Sequence, residues 1–242
     1  MTGADRLRAA VTGLIGLAAT AEQELLAEPE QQASGSAQHW AALPVIAHNT
    51  EFRRQQVQRL RAIRTGLAPP EFAEVDHASA TLYAELAAQP ADAVARDSWR
   101  VAGELTEEMR LISHADLTEP ARNPWLRGRQ LWLQVVVRGF WHPTGHLSDY
   151  YLGHGRPDRA VALAVHGVMT AAYLSAPAPA RGMASYNLAC AQARAGLLDE
   201  AAAALTEAVS LNPDVRANAR RDSDLSAVRD TGQLAALLDG AR

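Results

Sequence analysis

The sequence predicts an all-α protein, with a four-helix bundle over residues 1–155 and helical hairpins over residues 156–242 packed on it. Three observations carry this. Much of the 48% hydrophobic content is alanine and leucine with few β-branched runs, a composition that favours helix over strand. Apolar residues recur near a 3.6-residue period in four long segments. Glycine- and proline-containing breaks separate those segments. At 242 residues the chain is long enough to bury a substantial core.

The first helix is expected over 4–28, with Leu7, Val11, Leu14, Ile15, Ala18, Leu25 and Leu26 on its inner face. Arg6 and Arg8 precede an apolar stretch, but Asp5 adjoins them and Glu22 and Glu24 follow, so the segment reads as an amphipathic helix and not as a signal peptide. Residues 28–38 are polar and read as a loop. A second helix starts near Ala41 or Pro44, a proline suited to a first turn, and runs through Val45, Ile46, His48, Phe52, Val57, Leu60 and Ile63 to Gly66. Arg53, Arg54, Arg59, Arg61 and Arg64 read as its solvated face and not as a phosphate track.

Residues 65–70 break the chain, and 71–89 read as irregular or a short helix. Pro90 precedes a third long helix at 91–114, with Trp99, Ala102, Leu105, Met109 and Ile112 as its apolar stripe and Glu104, Glu107 and Glu108 on the solvated side. A linker at 116–128 carries Pro120 and Pro124. The fourth helix begins around Gly128–Gln130, carries Leu131, Leu133, Val136, Val137 and Phe140, and ends at Gly153–Gly155.

Beyond Gly155 the pattern changes. Gly155-Arg-Pro-Asp-Arg-Ala160 recurs as Gly196-Leu-Leu-Asp-Glu-Ala201, a turn feeding a helix rich in small residues. Leu188, Ala189, Gly196, Ala201, Leu205, Ala208 and Pro213 fall at the spacings of a tetratricopeptide-type hairpin, and short helical pieces at 224–228 and 234–238 are expected to cap it. One clear repeat and one imperfect repeat are too few for a free-standing solenoid, so the hairpins are expected to dock on the bundle.

A formal charge of −4 with interspersed signs leaves no basic footprint for nucleic acid. No apolar run reaches the roughly 18 residues of a membrane span. Cys190 is the only cysteine, which excludes an intrachain disulfide and reads as a small buried hydrophobe. The expected setting is cytoplasmic.

Chemistry concentrates in residues 138–155. His142 and His146 stand four apart, so both imidazoles leave one helix face a turn apart, a spacing that suits a divalent ion with nitrogen ligands. Two helix histidines satisfied by nearby carboxylates or carbonyls would show the same spacing. His48 shares a face with Pro44 and Phe52 and points inward, which fits a satisfied core histidine or a third nitrogen donor from a facing helix. Pro143 inside the fourth helix leaves the Gly139 carbonyl without its partner, at a cost on the order of 3 kcal/mol, so a kink, a bulge or a break is expected there.

The residues Trp40…Val45-Ile-Ala-His48, Trp125-Leu-Arg-Gly128, and His142-x3-His146 followed by Tyr150, Tyr151 and Gly155 resemble the DinB/YfiT-like superfamily of metal-binding four-helix bundles. That group includes thiol-dependent S-transferases, mycothiol-dependent isomerases and ClbS-like self-resistance proteins. The resemblance covers about the first 155 residues and implies a divalent metal, zinc or nickel, on His48, His142 and His146. It further implies action on an electrophilic small molecule by hydrolysis, ring opening or transfer of a low-molecular-weight thiol, since a bound metal lowers the pKa of a water or thiol. Asp149, Tyr150 and Glu51 lie within about one turn of an implied ligand and are the candidate catalytic groups, each also readable as a surface or packing residue. Trp40, Trp125, Trp132 and Trp141 either line a pocket or pack the core. Two other functions stay open: metal-free capture of a reactive metabolite, as in ClbS-like proteins, and protein interaction through the hairpins. Bundles of this group often pair through helices, so a homodimer is a further expectation.

Overall fold

A computed structural model describes residues 2–28, 40–72 and 80–232, and among these the chain is helical with no strand. The predicted loop at 28–38 and the predicted piece at 234–238 lie almost wholly outside the described residues, as does 73–79 of the segment read as irregular or a short helix.

Helix α1 (Gly3–Ala27) begins at a capping box. The Asp5 N–H donates to Thr2 Oγ1 at 3.1 Å, and the Thr2 N–H donates to the Asp5 carboxylate at 2.9 Å. The Thr2 N–H and, at 2.8 Å, the Thr2 hydroxyl both donate to the Asp5 carboxylate and hold it below the usual range. Helix α2 (Ala42–Arg64) follows, then the short α3 (Ala80–Ala87) and the long α4 (Ala91–Leu111). A brief α5 (His114–Thr118), capped by Ser113, and two 3-10 turns at Pro120–Arg122 and Pro124–Leu126 occupy the predicted linker. The expected fourth helix is present in three parts: α6 (Leu131–Val136), a π-helical turn (Val137–Trp141) and α7 (His142–Gly153).

Helix α4 packs against both α1 and α2, and the π turn packs against the same two helices, so these segments enclose one core. Leu14, Ile15, Ile46, Leu60, Leu105, Met109, Leu131 and Phe140 are buried in it. Of the predicted stripe, Ala102, Leu105, Met109 and Ile112 are buried, and Trp99 departs from it. Val94, Ser98, Val101, Leu105 and Met109 point inward, while Trp99 is 57% exposed. Ser98 is buried because its hydroxyl donates to Glu22 at 2.7 Å, a polar anchor that a search for apolar periodicity passes over.

The arginines of α2 divide: Arg61 and Arg64 are exposed and Arg54 is half-buried, while Arg53 and Arg59 are buried. Arg53 is fully buried, with Nη1 2.6 Å from Glu22 Oε2, and Asn49 donates to the other oxygen of Glu22 at 3.0 Å. Glu108, expected at the solvated side of α4, is also buried and accepts from Arg61 and Arg64 at 2.9 and 3.0 Å. Burial alone would raise its carboxyl, and the two guanidinium groups outweigh that and lower it.

The contacts divide the chain into two compact units, Met1–His146 and Leu147–Arg242, so the division falls inside α7. In the second unit, α9 (Ala178–Arg194) packs against both α8 (Pro157–Tyr173) and α10 (Leu198–Leu211). Short connections make the successive helices antiparallel neighbours. The echo seen in sequence is an echo in conformation. Gly155 and Gly196 have φ of +68° and +82°, and each ends a helix two residues before the next begins. At both, the glycine N–H donates three residues back and the following N–H five residues back, the paired bonds of a Schellman cap. Gly182 lets α9 approach α10 closely, since a Cβ there would stand 2.6 Å from Asn212 Cβ. Helix α11 (Val215–Ala219), a 3-10 turn at Ser223–Leu225 and α12 (Ser226–Asp230) complete the described chain, which places helix on part of the predicted piece at 224–228. No helix among the described residues is long and apolar enough to cross a membrane.

Candidate metal centre

His48 is carried on the first half of α2 and is 2% exposed. Phe52, one turn later, lies beside it with ring centroids 4.6 Å apart, and Trp40 meets it edge-on at 5.7 Å. Opposite, the π turn delivers His142 as the first residue of α7, with His146 a turn further on.

The local sequence explains the π turn. Pro143 has no N–H to offer the Gly139 carbonyl, and the wider turn takes up the mismatch: the His142 N–H donates five residues back, to the Val137 carbonyl. The Thr144 hydroxyl donates to the Phe140 carbonyl at 2.8 Å. Gly139 is required by packing, since a Cβ there would stand 2.7 Å from Ile15 and 3.2 Å from Leu105. Of the outcomes open at Pro143, the structure shows a bulge.

The three imidazoles converge. Nε2 of His48 lies 3.2 Å from Nε2 of His142, and one nitrogen from each of His48, His142 and His146 falls within 4.8 Å of the others. The His142 and His146 rings are near perpendicular at 4.3 Å, and the His48 and His146 rings at 5.1 Å. Phe52 stacks on His142 at 4.3 Å and 16° between planes, which fixes that ring's orientation.

This donor set fits a divalent ion. Tetrahedral zinc with nitrogen at about 2.0–2.1 Å separates its ligand atoms by roughly 3.3 Å, close to the His48–His142 spacing. Imidazole suits zinc and nickel alike, and three protein nitrogens leave a coordination position open. The group can therefore hold a metal ion.

The other predicted site residues have partners of their own. Glu51 forms an ion pair with Arg54 and accepts from Gln55, and it is not one of the clustered ligand groups. In the second unit Asp149 forms an ion pair with Arg194, and the Tyr150 ring stacks on His154 at 4.1 Å. Among the tryptophans, Trp40 lies beside His48, Trp125 lies beside Arg59, and Trp132 is 4% exposed and donates to Gln130 at 2.7 Å.

Sequence reasoning did not single out Arg138, and it read Arg59 as solvated where the structure buries it. Arg138 sits four residues before His142, with its guanidinium carbon 4.3 Å from the Phe52 ring centre. Extending the four-residue ladder of His146 and His142 back one more step would have reached it. Arg59 lies 4.8 Å from the Phe72 ring centre and 5.5 Å from that of Trp125. It lines an open cleft of about 980 Å³ together with Pro70, Phe72, Arg122, Trp125 and Arg127.

A second group that meets the same spacing criterion lies in the second unit: Cys190, Asp222 and Asp224. Asp222 accepts from the Tyr186 hydroxyl at 2.7 Å, from the Asp224 N–H at 3.0 Å and from the Cys190 thiol at 3.7 Å. Burial, reinforced by the two aspartates, pushes the Cys190 thiol well up and so keeps it protonated.

No family model, no curated protein and no solved structure matches the chain.

Proposed function

We propose that the first unit is a DinB/YfiT-like bundle that binds zinc or nickel through His48, His142 and His146 and acts on an electrophilic small molecule. The outcome would be hydrolysis, ring opening or transfer of a low-molecular-weight thiol. The observation that carries the reading is the convergence of His48 from α2 with His142 and His146 from α7, at a spacing a first-row divalent ion imposes. When bound, the ion supplies Lewis acidity at a site open to one further ligand.

The chain's own residues do the rest. Phe52 holds the His142 ring and Trp40 flanks His48, so aromatic rings surround the imidazoles. Within the first unit Glu51 remains the candidate for proton transfer, and it needs release from Arg54 to act. The repeated left-handed glycine turns at Gly155 and Gly196 support a tetratricopeptide-like reading of the second unit.

Metal analysis of untagged protein tests the proposal. About one equivalent of zinc or nickel per chain, lost in His48→Ala and in His142→Ala with folding retained, is the expected result. Absence of metal, together with no thermal shift from any divalent ion, overturns it and leaves metal-free capture as the surviving small-molecule reading. An interaction role has one specific observation behind it: Val165, Met169 and Tyr173 stand at four-residue intervals on α8 and are all exposed. If that role holds, replacing Met169 and Tyr173 by serine abolishes partner recovery and leaves metal content unchanged.

A further inference from the structure

The open cleft at Arg59 gathers polar groups that the fold leaves unmatched. Arg53, Arg54, Arg61 and Arg64 on the same helix each pair with a carboxylate. Arg59, 8% exposed, pairs with none among the described residues. Its Nε donates to the Pro70 carbonyl at 3.4 Å. Of its terminal nitrogens Nη1 is sealed from solvent and Nη2 is not, and neither makes a hydrogen bond among the described residues. Asn123, 1% exposed, lines the same cleft. Its Nδ2 donates to the Asp116 carbonyl at 2.7 Å, which settles the orientation of the amide and leaves Oδ1 buried without a donor. Trp125, on the same wall, has its indole N–H buried without an acceptor.

Burying a guanidinium without a counter-ion is costly, and burial lowers the Arg59 pKa with no carboxylate acting against it. The carboxylates of the cleft do not fill that role. Asp116 is taken by Arg122 at 2.6 Å, and Glu71 is exposed and forms no ion pair among the described residues. Arg127, also on the wall, is exposed and likewise unpaired, so the balance of charge in the cleft is positive. The Arg59 guanidinium stands 4.8 Å from the Phe72 ring centre and 5.5 Å from that of Trp125, and these aromatic faces hold the cation without neutralising it. At about 980 Å³ the cleft has room for a small organic molecule. It includes none of the three clustered histidines, and His48 precedes Arg59 on α2 by about 16 Å of helical rise. One uncommitted guanidinium beside one indole N–H matches the two oxygens of a carboxylate, whereas a phosphate dianion calls for more donors.

We infer that this cleft binds a small carboxylic acid with a flat apolar body, its carboxylate on the Arg59 guanidinium and its ring against Phe72 and Trp125. Asn123 Oδ1 supplies an acceptor for an N–H or O–H on that body. The site stands on these residues alone and is independent of the metal reading.

Isothermal titration of sodium indole-3-acetate into the full chain, at ionic strength matched with sodium chloride, tests it. This probe carries a carboxylate, a flat ring and an N–H. The expected result is binding at least tenfold tighter than that of indole-3-acetamide, which lacks the charge, and of acetate, which lacks the ring. Arg59→Met and Leu67→Glu should each weaken the binding tenfold or more. Leu67 lines the cleft and is 67% exposed, so its replacement changes the charge there without touching the core. His142→Ala should bind the probe as the wild type does even if it loses metal, so the two readings fail separately. No binding of the probe, or no preference for it over the amide or over acetate, overturns the inference. So does undiminished affinity in Leu67→Glu or in a folded Arg59→Met, or tighter binding of phenyl phosphate than of the probe. Loss of binding in His142→Ala would place the carboxylate on the histidines and overturn it too. Should Arg59→Met not fold, Leu67→Glu decides.

Discussion

Among the described residues two groups of side chains meet the same spacing test for a metal, one in each unit, and they differ in donor chemistry. Among Cys190, Asp222 and Asp224, Asp222 takes hydrogen bonds from Tyr186, Asp224 and Cys190, and Asp224 lies 3.7 Å from Arg194. The thiol is held protonated, the form that does not ligate. The histidine group presents two Nε2 atoms 3.2 Å apart, tip to tip, among aromatic rings. Convergence alone does not make a ligand set; the donor atoms must be in their binding form and turned toward a common point.

The largest expected effect sharpens that contrast directly. His142→Ala should take metal from about one equivalent per chain to near zero, and Cys190→Ala should leave it unchanged, both read by elemental analysis. With zinc at a hundred times its dissociation constant, the wild type should gain about 2.7 kcal/mol in stability, a gain the histidine variants lack. Equal metal loss in Cys190→Ala would move attention to the second unit.

Next in size is Gly139→Ala. With Ile15 at 2.7 Å from the added Cβ, the expected cost is about 1–3 kcal/mol in urea unfolding, accompanied by weaker metal binding because the π turn aims His142. Retained stability with unchanged metal affinity would show that the turn tolerates a side chain and does not set the site.

The pH responses of the two units should run in opposite directions. Burial raises Asp224 from 3.8 to about 6, so its folded form holds the proton more tightly than the unfolded chain does. That contribution is complete below about pH 4 and is lost as pH rises through about 6. Glu108 is lowered, so its contribution is present above its ordinary value of 4.5 and fades as pH falls through its folded value. Scanning fluorimetry across this range should show Asp224→Asn flattening the first trend and Glu108→Gln the second. The smallest effect is chemical: Cys190 should react with a thiol reagent at neutral pH far more slowly than an exposed cysteine.

Much of this was legible in sequence, unevenly. Helical periodicity found the long helices, and the four-residue spacing of His142 and His146 holds because both lie in α7, after the π turn that Pro143 requires. Charge was the weak point. Five arginines within twelve residues look like a solvated face, yet Arg53 and Arg59 are buried, because their partners are Glu22 from α1 in one case and aromatic rings in the other. Neither can be read from α2 itself. Ser98 was passed over and Trp99 misplaced for a related reason: a polar residue held the centre of the α4 face through one long-range hydrogen bond. Asp149, Tyr150 and Glu51 were chosen for proximity along the chain, which does not settle what a side chain reaches.

The π turn at Val137–Trp141 also makes the site sensitive to length as well as to composition. A π turn is one residue more than an α-helix needs for the same rise. Deleting a single residue there would let the helix close into regular α form and would swing everything after it by about 100° relative to α6. His142 and His146 would leave the face of His48 with every one of their atoms intact. For this stretch, a one-residue deletion is the more damaging event, and most substitutions the milder one.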